Sequence, residues 1–180
     1  LVRNKLNNKT VFSKLYNKLN NKLNNKTMDY SITKEGKPLG RKLYSWDEKT
    51  KTLITKESGL VLDFSGYDGV TFITGHDCTF ITGHDCTFET GNGCIFKTGC
   101  DCTFDTGYGC TFKTWGGCTF ETGYDCTFKT GNNCTFDTGH DCTFNTWSNC
   151  TFKTWSNCTF DTGKNCVIIR KDIFEVINMN

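Results

Sequence analysis

An eight-residue unit, C-T-F-x-T-G-x-x, repeats without a change of phase from Val70 to Cys166. Every unit carries a phenylalanine two residues after its start, from Phe72 to Phe160. A short period held over this length is typical of a chain that winds into stacked coils. The repeat therefore predicts an all-β fold, a parallel β-solenoid of octapeptide units. The units begin at Val70, Cys78, Cys86, Cys94, Cys102, Cys110, Cys118, Cys126, Cys134, Cys142, Cys150 and Cys158.

The alternation of a β-strand assigns each position of the unit to a face. Counting from the cysteine, positions 1, 3 and 5 (Cys, Phe, Thr) point to one side, and positions 2 and 4 point to the other. Position 4 is mostly charged, as at Glu121 and Lys129, and a charge must stay hydrated. We therefore expect Cys, Phe and Thr inside the coil. The residue before each cysteine is Asp, Asn or Gly, which tolerate the positive φ of a tight bend.

The number of units that close one coil is open to two interpretations. Two units would give a flat, two-sided solenoid with 16 residues per coil, and three would give a triangular one with 24. In the flat form Asp105 stacks on Glu121, whereas in the triangular form Asp105 stacks on Lys129. The charges favour the triangle, but exposed pairs contribute only about 0.2–1 kcal/mol each. Since a flat coil closes readily with eight residues per side, we predict the flat form and keep the triangular form as the alternative.

Charge divides the chain into a basic N-terminal part and an acidic repeat region. Residues 1–61 hold 14 Lys and Arg against 5 Asp and Glu, whereas residues 62–166, the predicted solenoid, hold 5 against 12. Residues 1–27 form a basic, low-complexity leader that we expect to be disordered or a weak helix, and Met28 marks an alternative start of translation. An acidic body repels phosphate, so we expect no nucleic acid along the solenoid.

Both ends of the solenoid need a cap, because an open sheet edge recruits other chains. Residues 28–61 predict an N-terminal cap, since Lys42–Trp46 and Lys51–Lys56 alternate in polarity like a β-hairpin. A decayed unit with Leu62 at its start follows this cap. At the other end, the apolar side chains of residues 167–180 predict a C-terminal capping strand.

The cysteines indicate a packed core and not a disulfide framework. Twelve of the 13 cysteines lie at the first position of a unit, and only Cys100 lies elsewhere. A free cysteine behaves as a small, buried apolar side chain. A parallel ladder would direct stacked Cβ atoms alike and strain a disulfide between coils. We therefore expect reduced thiols and a reducing compartment. No apolar run suggests a signal peptide or a membrane span.

The run TGHDCTFETGNGCIFKTG resembles the CTFxTG short-repeat proteins of giant viruses of amoebae, some phages and some protists. The likeness covers residues 62–166, and the Lys/Asn-rich leader is typical of AT-rich genomes. The resemblance implies a viral repeat protein, in the cytoplasm of a host cell or in a virion. It supplies no catalytic residues to carry over to this chain.

Few residues suggest metal binding or catalysis. His76, His84 and His140 precede an Asp-Cys pair, but the short ligand spacings of zinc sites are absent, so we interpret them as turn residues. The repeats have no long loops to gather acid–base groups. We therefore expect no catalytic residue, no metal and no cofactor.

Two hypotheses for function follow. The first is a non-catalytic structural or interaction protein, a rigid scaffold whose acidic and basic faces support self-association or binding to a host or virion protein. The alternative is a carbohydrate- or protein-binding module that uses exposed aromatic side chains along one edge. These are Trp115, Trp147, Trp155, Tyr108 and Tyr124.

Overall fold

The computed structural model describes residues 30–179, and the predicted leader, residues 1–27, lies outside this range. Within it the chain is all-β, with one 3-10 turn at Arg41–Leu43 and no helix long and apolar enough to cross a membrane. The strands are β1 (Ser31–Lys34), β2 (Lys37–Pro38), β3 (Tyr44–Asp47), β4 (Thr52–Thr55), β5 (Leu60–Phe64), β6 (Thr71–Ile73), β7 (Thr79–Thr82), β8 (Thr87–Thr90), β9 (Ile95–Lys97), β10 (Thr103–Thr106), β11 (Thr111–Lys113), β12 (Thr119–Thr122), β13 (Thr127–Lys129), β14 (Thr135–Asp137), β15 (Thr143–Asn145), β16 (Thr151–Thr154), β17 (Thr159–Asp161), β18 (Cys166–Arg170) and β19 (Glu175–Met179).

The strands form two sheets, and from β4 to β18 the chain crosses from one sheet to the other at every bend. The order in the nine-stranded sheet is β17-β15-β13-β11-β9-β7-β5-β1-β2, and the ten-stranded sheet runs β19-β18-β16-β14-β12-β10-β8-β6-β4-β3. Phe120 pairs with Phe104 on one side and with Phe136 on the other, all in parallel register. Each coil therefore takes about 16 residues and the chain makes about seven turns. The flat form is confirmed, and the triangular alternative is wrong.

A residue with positive φ turns the chain at the end of each bend. All twelve residues that precede a cysteine at the first position of a unit, from Asp77 to Asn165, have φ between 56° and 72°. Asp, Asn and Gly accept this left-handed region at the least cost, which explains why only these three types occur there. The bend thus allows the next strand to begin at the following threonine.

The core consists of two columns of phenylalanine rings, one from each sheet. Phe120 stacks in parallel on Phe104 and Phe136, with ring centroids 4.8 Å apart in both pairs. It also meets Phe112 and Phe128 of the opposite sheet edge to face, at 5.1 Å and 5.2 Å. Burial of each ring contributes about 2–3 kcal/mol, and such aromatic pairs add about 0.5–1.5 kcal/mol. The predicted inward face of the unit is therefore correct for phenylalanine.

The cysteines line the core beside the rings, and none of the 13 forms a disulfide. Eleven are buried, whereas Cys100 and Cys158 are partly exposed. The thiol of Cys126 lies 3.5 Å from the carbonyl oxygen of Tyr124 and 3.7 Å from that of Gly107 in the previous coil. A thiol is a weak donor, so these contacts satisfy it without a charge in the core. The structure thus agrees with cysteine as a packing residue.

The N-terminal end is closed by antiparallel strands and an aromatic cluster. β1 pairs antiparallel with β2 and with β5, and β3 forms a hairpin with β4. The ring of Tyr30 stacks on Phe64 at 4.5 Å and packs against Trp46 at 5.4 Å. Phe64 in turn meets Phe72, the first phenylalanine of its column, edge to face at 5.1 Å.

The sequence predicts that the decayed unit starts at Leu62, but in the structure it starts at Leu60. Val61 pairs with Thr79 and Leu62 with Phe80, so Leu62 takes the phenylalanine position and Leu60 takes the cysteine position. This coil is 18 residues long, because the loop that follows β5 holds two extra residues. Parallel pairing extends further still, since Leu53 of β4 lies opposite Phe72.

The C-terminal end is covered on one sheet. β18 continues the ten-stranded sheet in parallel, with Ile168 opposite Phe152, and β19 then turns back antiparallel on β18. Within the described part of the chain, β17 is the last strand of the nine-stranded sheet. Phe160 of β17 is accordingly only partly buried, unlike the rings before it.

We expect Phe120→Ala to lower the free energy of unfolding by about 3–5 kcal/mol, because it removes one ring from four aromatic contacts and leaves a cavity. The neighbouring Glu121→Ala is the matched control and should change it by less than about 1 kcal/mol, since Glu121 is exposed. Urea denaturation followed by circular dichroism measures both. Similar losses in the two variants would contradict the assignment of the faces.

Alkylation of the native protein should modify Cys100 first and Cys158 more slowly, because only these two thiols are within reach of a reagent from solvent. The other eleven should react only after unfolding, and mass spectrometry of peptides measures the order. Cys100→Ser should remove the fastest step alone. Rapid labelling of Cys126, or a mass two protons lower for each pair of cysteines, would contradict the buried, reduced core.

Candidate functional site

Three lysines stand in a straight column on the outer face of the nine-stranded sheet. Lys113 pairs with Lys97 on one side and with Lys129 on the other, in adjacent strands of the same register. All three side chains are exposed, because position 4 of the unit points away from the core. We call these residues the lysine column. It gives this face a row of positive charges spaced about 4.8 Å apart along the solenoid.

Four carboxylates form the corresponding row on the ten-stranded sheet. Asp105 pairs with Glu89 and Glu121, and Glu121 pairs with Asp137. We call these residues the acidic column. It lies on the opposite face of the flat coil from the lysine column, so the two faces carry opposite charge.

Both columns are electrostatically unfavourable within one chain. Like charges directly opposite each other on neighbouring strands repel. Among residues 30–179, Asp137 forms an ion pair with Lys171, whereas Glu89, Asp105, Glu121 and the lysine column form none. These six exposed charges therefore lack a partner of opposite sign in the described fold.

The sign of the charge reverses near the C-terminal end of both columns. Lys153 follows Asp137 in the ten-stranded sheet, and Asn145 and then Asp161 follow Lys129 in the nine-stranded sheet. The Asn145 Nδ2 donates to the Asp161 Oδ2 at 3.2 Å. Sequence reasoning missed this reversal, although it can be found by reading position 4 at intervals of 16 residues.

The five candidate aromatic residues lie on two edges and not on one. Tyr108, Tyr124 and Trp155 occupy bends that lead from the ten-stranded to the nine-stranded sheet, which we call the tyrosine edge. Trp115 and Trp147 occupy the bends on the other side, the tryptophan edge. The hypothesis of one continuous aromatic edge is therefore wrong, because alternate units turn on opposite sides of a flat coil.

Three rings stack face to face along the tyrosine edge. Tyr108 lies 4.8 Å from Tyr124, and Tyr124 lies 5.0 Å from His140, with interplanar angles of 5° in both pairs. His140 is a member of this stack that sequence reasoning did not include. Since both faces of Tyr124 are covered by its neighbours, it offers a ligand only the rim of its ring. A sugar ring, which packs on an aromatic face, does not fit there.

The tryptophan edge leaves its indoles more open. The exposed fraction of Trp115 is 70% and that of Trp147 is 64%. They lie two coils apart, about 10 Å, with Gly131 in the coil between them. Glycine has no side chain to fill this interval. A larger residue would not fit there, because a Cβ at Gly131 would lie 2.9 Å from the backbone nitrogen of Gly116. The coil between the two tryptophans thus carries no side chain at this position of the bend.

The histidines act inside the turns. The Nδ1 of His76 accepts a hydrogen bond from the backbone N–H of Asn92 at 3.0 Å, and the Nδ1 of His84 accepts one from Cys100 at 2.9 Å. Each histidine thereby joins two successive coils. Hydrogen bonds from His140 and then Asn157 lower the pKa of Asp141. Within residues 30–179, no three His, Cys, Asp or Glu side chains are placed to hold a metal ion.

Opposed columns of charge and two aromatic edges are thus the features of this surface that could recognise another molecule. Both follow the spacing of the coils, because each strand and each bend lies on the one before it. No protein-family model, no curated protein and no solved structure matches this chain.

Proposed function

We propose that this chain is a non-catalytic structural protein, a rigid scaffold that associates through its flat faces with further copies or with other proteins. The observation that carries the proposal is the pair of opposed columns, with Lys97, Lys113 and Lys129 on one face and the acidic column on the other. Charges held in a fixed row at the spacing of the coils suit a partner with a row of the same spacing.

The core supports the rigidity that a scaffold requires. Phe72 to Phe152 are almost completely buried, and each ring contacts rings of both sheets. Backbone hydrogen bonds also join successive coils in the bends, as from Gly123 N–H to the Gly107 carbonyl at 3.2 Å. A motion of one coil would break contacts in its neighbours, so the faces keep their shape.

The placement of the charges also argues for a non-catalytic role. Acid–base catalysis needs groups that converge on one substrate atom in a cleft. Here the exposed acids and bases stand in single file on separate faces.

The origin of the chain is part of the proposal. The repeat of residues 62–166 is similar to CTFxTG proteins, and this similarity supports a viral repeat protein.

Sedimentation velocity at low and high salt tests self-association. In about 0.01 M salt we expect a species heavier than the monomer whose fraction rises with protein concentration. In about 1 M salt it should dissociate, because the Debye length falls from about 30 Å to about 3 Å. A monomer that is indifferent to salt at every concentration would contradict association between copies.

A second candidate function, binding of a carbohydrate, is favoured by one observation. Trp115 and Trp147 expose most of their surface on the same edge, and sugar rings pack on exposed aromatic rings. Asn145 lies two residues before Trp147, and Lys129 lies two residues before Gly131, so both place a polar side chain near this edge.

A glycan array distinguishes this candidate from the scaffold. If it is correct, wild-type protein binds a defined set of glycans, and Trp115→Ala with Trp147→Ala removes the signal. Trp155→Ala is the matched control, because Trp155 lies on the tyrosine edge and should leave binding unchanged. A blank array, or equal loss in the control, would exclude the tryptophan edge as a glycan site.

A further inference from the structure

The order of charges along the two faces is specific enough to define how copies meet. We propose that the nine-stranded face of one copy packs on the ten-stranded face of the next, with parallel solenoid axes and with equivalent coils at the same level. This inference rests on the proposed scaffold function and adds the partner, a second copy, and the register. Its basis is the complementarity of position 4, coil by coil.

Six successive coils offer a compatible pair in this register, whereas Asp63 meets Ile54 in the coil before them. Near the N-terminal end, Ile81 meets an isoleucine of the neighbouring copy, and the three lysines then meet three carboxylates. Near the C-terminal end both faces reverse their sign at the same level, so complementarity is kept. The pairs are Ile81 with Ile73, Lys97 with Glu89, Lys113 with Asp105, Lys129 with Glu121, Asn145 with Asp137, and Asp161 with Lys153.

Other arrangements of two copies are less complementary. A two-fold axis would place like faces together, lysine column against lysine column. A shift by one coil keeps three ion pairs but sets Ile81 against Glu89 and Asp161 against Ile169. Reversal of one axis keeps four ion pairs when Lys153 lies opposite Asp63. That arrangement, however, sets Ile81 against Asp137 and Asp161 against Ile54. The pair of Asp161 with Lys153, together with the pair of Ile81 with Ile73, therefore favours the parallel, unshifted register.

The dimensions of the faces predict weak individual contacts. Each face is about 16 Å wide and about 29 Å long over six coils, roughly 460 Å². The two faces together approach the lower limit of specific interfaces. When two copies face each other, their position-4 columns do not lie directly opposite. The strands of the two sheets run in opposite directions, so the columns are offset by two residues along the strand, about 7 Å. The flexible stem of lysine allows its ammonium group to cross this offset.

The same contact repeats on both sides of every copy. Because the face that binds differs from the face that is bound, the interface is heterologous and does not close after two copies. Copies related by translation would therefore form a growing stack, with the two outermost faces free. We expect a ladder of oligomers and not a single dimer.

Charge exchange in the middle of the faces tests the register. In about 0.01 M salt with EDTA, sedimentation velocity should show that Lys113→Glu lowers the association constant about tenfold, since a carboxylate then faces Asp105. Adding Asp105→Lys to the same chain should restore it to within about threefold of wild type. Adding Glu121→Lys to Lys113→Glu is the matched control with the same net charge, and it should not restore association.

A second exchange tests the direction of the axes. Lys153→Glu should weaken association, and Lys153→Glu with Asp161→Lys should restore it, because this pair meets only in the parallel, unshifted register. Both residues are exposed and lie on opposite sheets, so near-UV circular dichroism should be unchanged in each variant. A folding defect caused by Lys153→Glu would persist in the double variant and could not be mistaken for the restored contact.

The outcomes separate this inference from the function on which it rests. Salt-sensitive association of wild type, restored by Glu121→Lys or not restored by any exchange, would overturn the register and leave the scaffold function standing. A wild type that remains monomeric at low salt would overturn both, whether or not its lysine face retains a polyanion such as heparin. Loss of association on adding EDTA would also overturn the register, since metal bridges between carboxylates would then hold the copies together.

Discussion

The edge-to-face contact between the two phenylalanine columns is the interaction on which the whole structure depends. Each ring must lie between two rings of its own sheet and two of the opposite sheet, as Phe120 lies among Phe104, Phe136, Phe112 and Phe128. This arrangement requires two strands per coil, because a third strand would separate the columns by a hollow. The core thus sets the coil at about 16 residues.

The charged surface follows from that core. Once alternate units stack, Asp105 must lie on Glu121 and Lys113 on Lys129, although each such contact is repulsive. The cost, about 0.2–1 kcal/mol for an exposed pair, is smaller than the 2–3 kcal/mol or so from burial of one ring. Packing of the rings therefore sets the number of residues per coil, and the repulsion between like charges on the surface is tolerated. Each face thus carries a column of like charges, and the two columns differ in sign. This difference is the physical origin of the assembly that we propose.

The candidate surfaces were only partly predictable. The outward direction of Trp115 follows from its position in the unit. Whether Trp115 and Tyr108 lie on the same edge depends on the number of units per coil, which the sequence leaves open. In the same way, the place of Leu62 depends on a two-residue insertion that shifts its partner to Phe80. A pattern that gives the face of a side chain does not give its neighbour in the next coil, because that neighbour is remote in sequence.

The sequence alone determined the inside, the outside and the bends, since strand alternation and the need for positive φ before each cysteine act within a single unit. Tertiary structure decided the contacts between units: two strands per coil, the sorting of charges onto two faces, and the split of the aromatic side chains between two edges. The reason is that local geometry is a property of eight residues. Closure of a coil depends instead on how side chains from remote units fill one shared core.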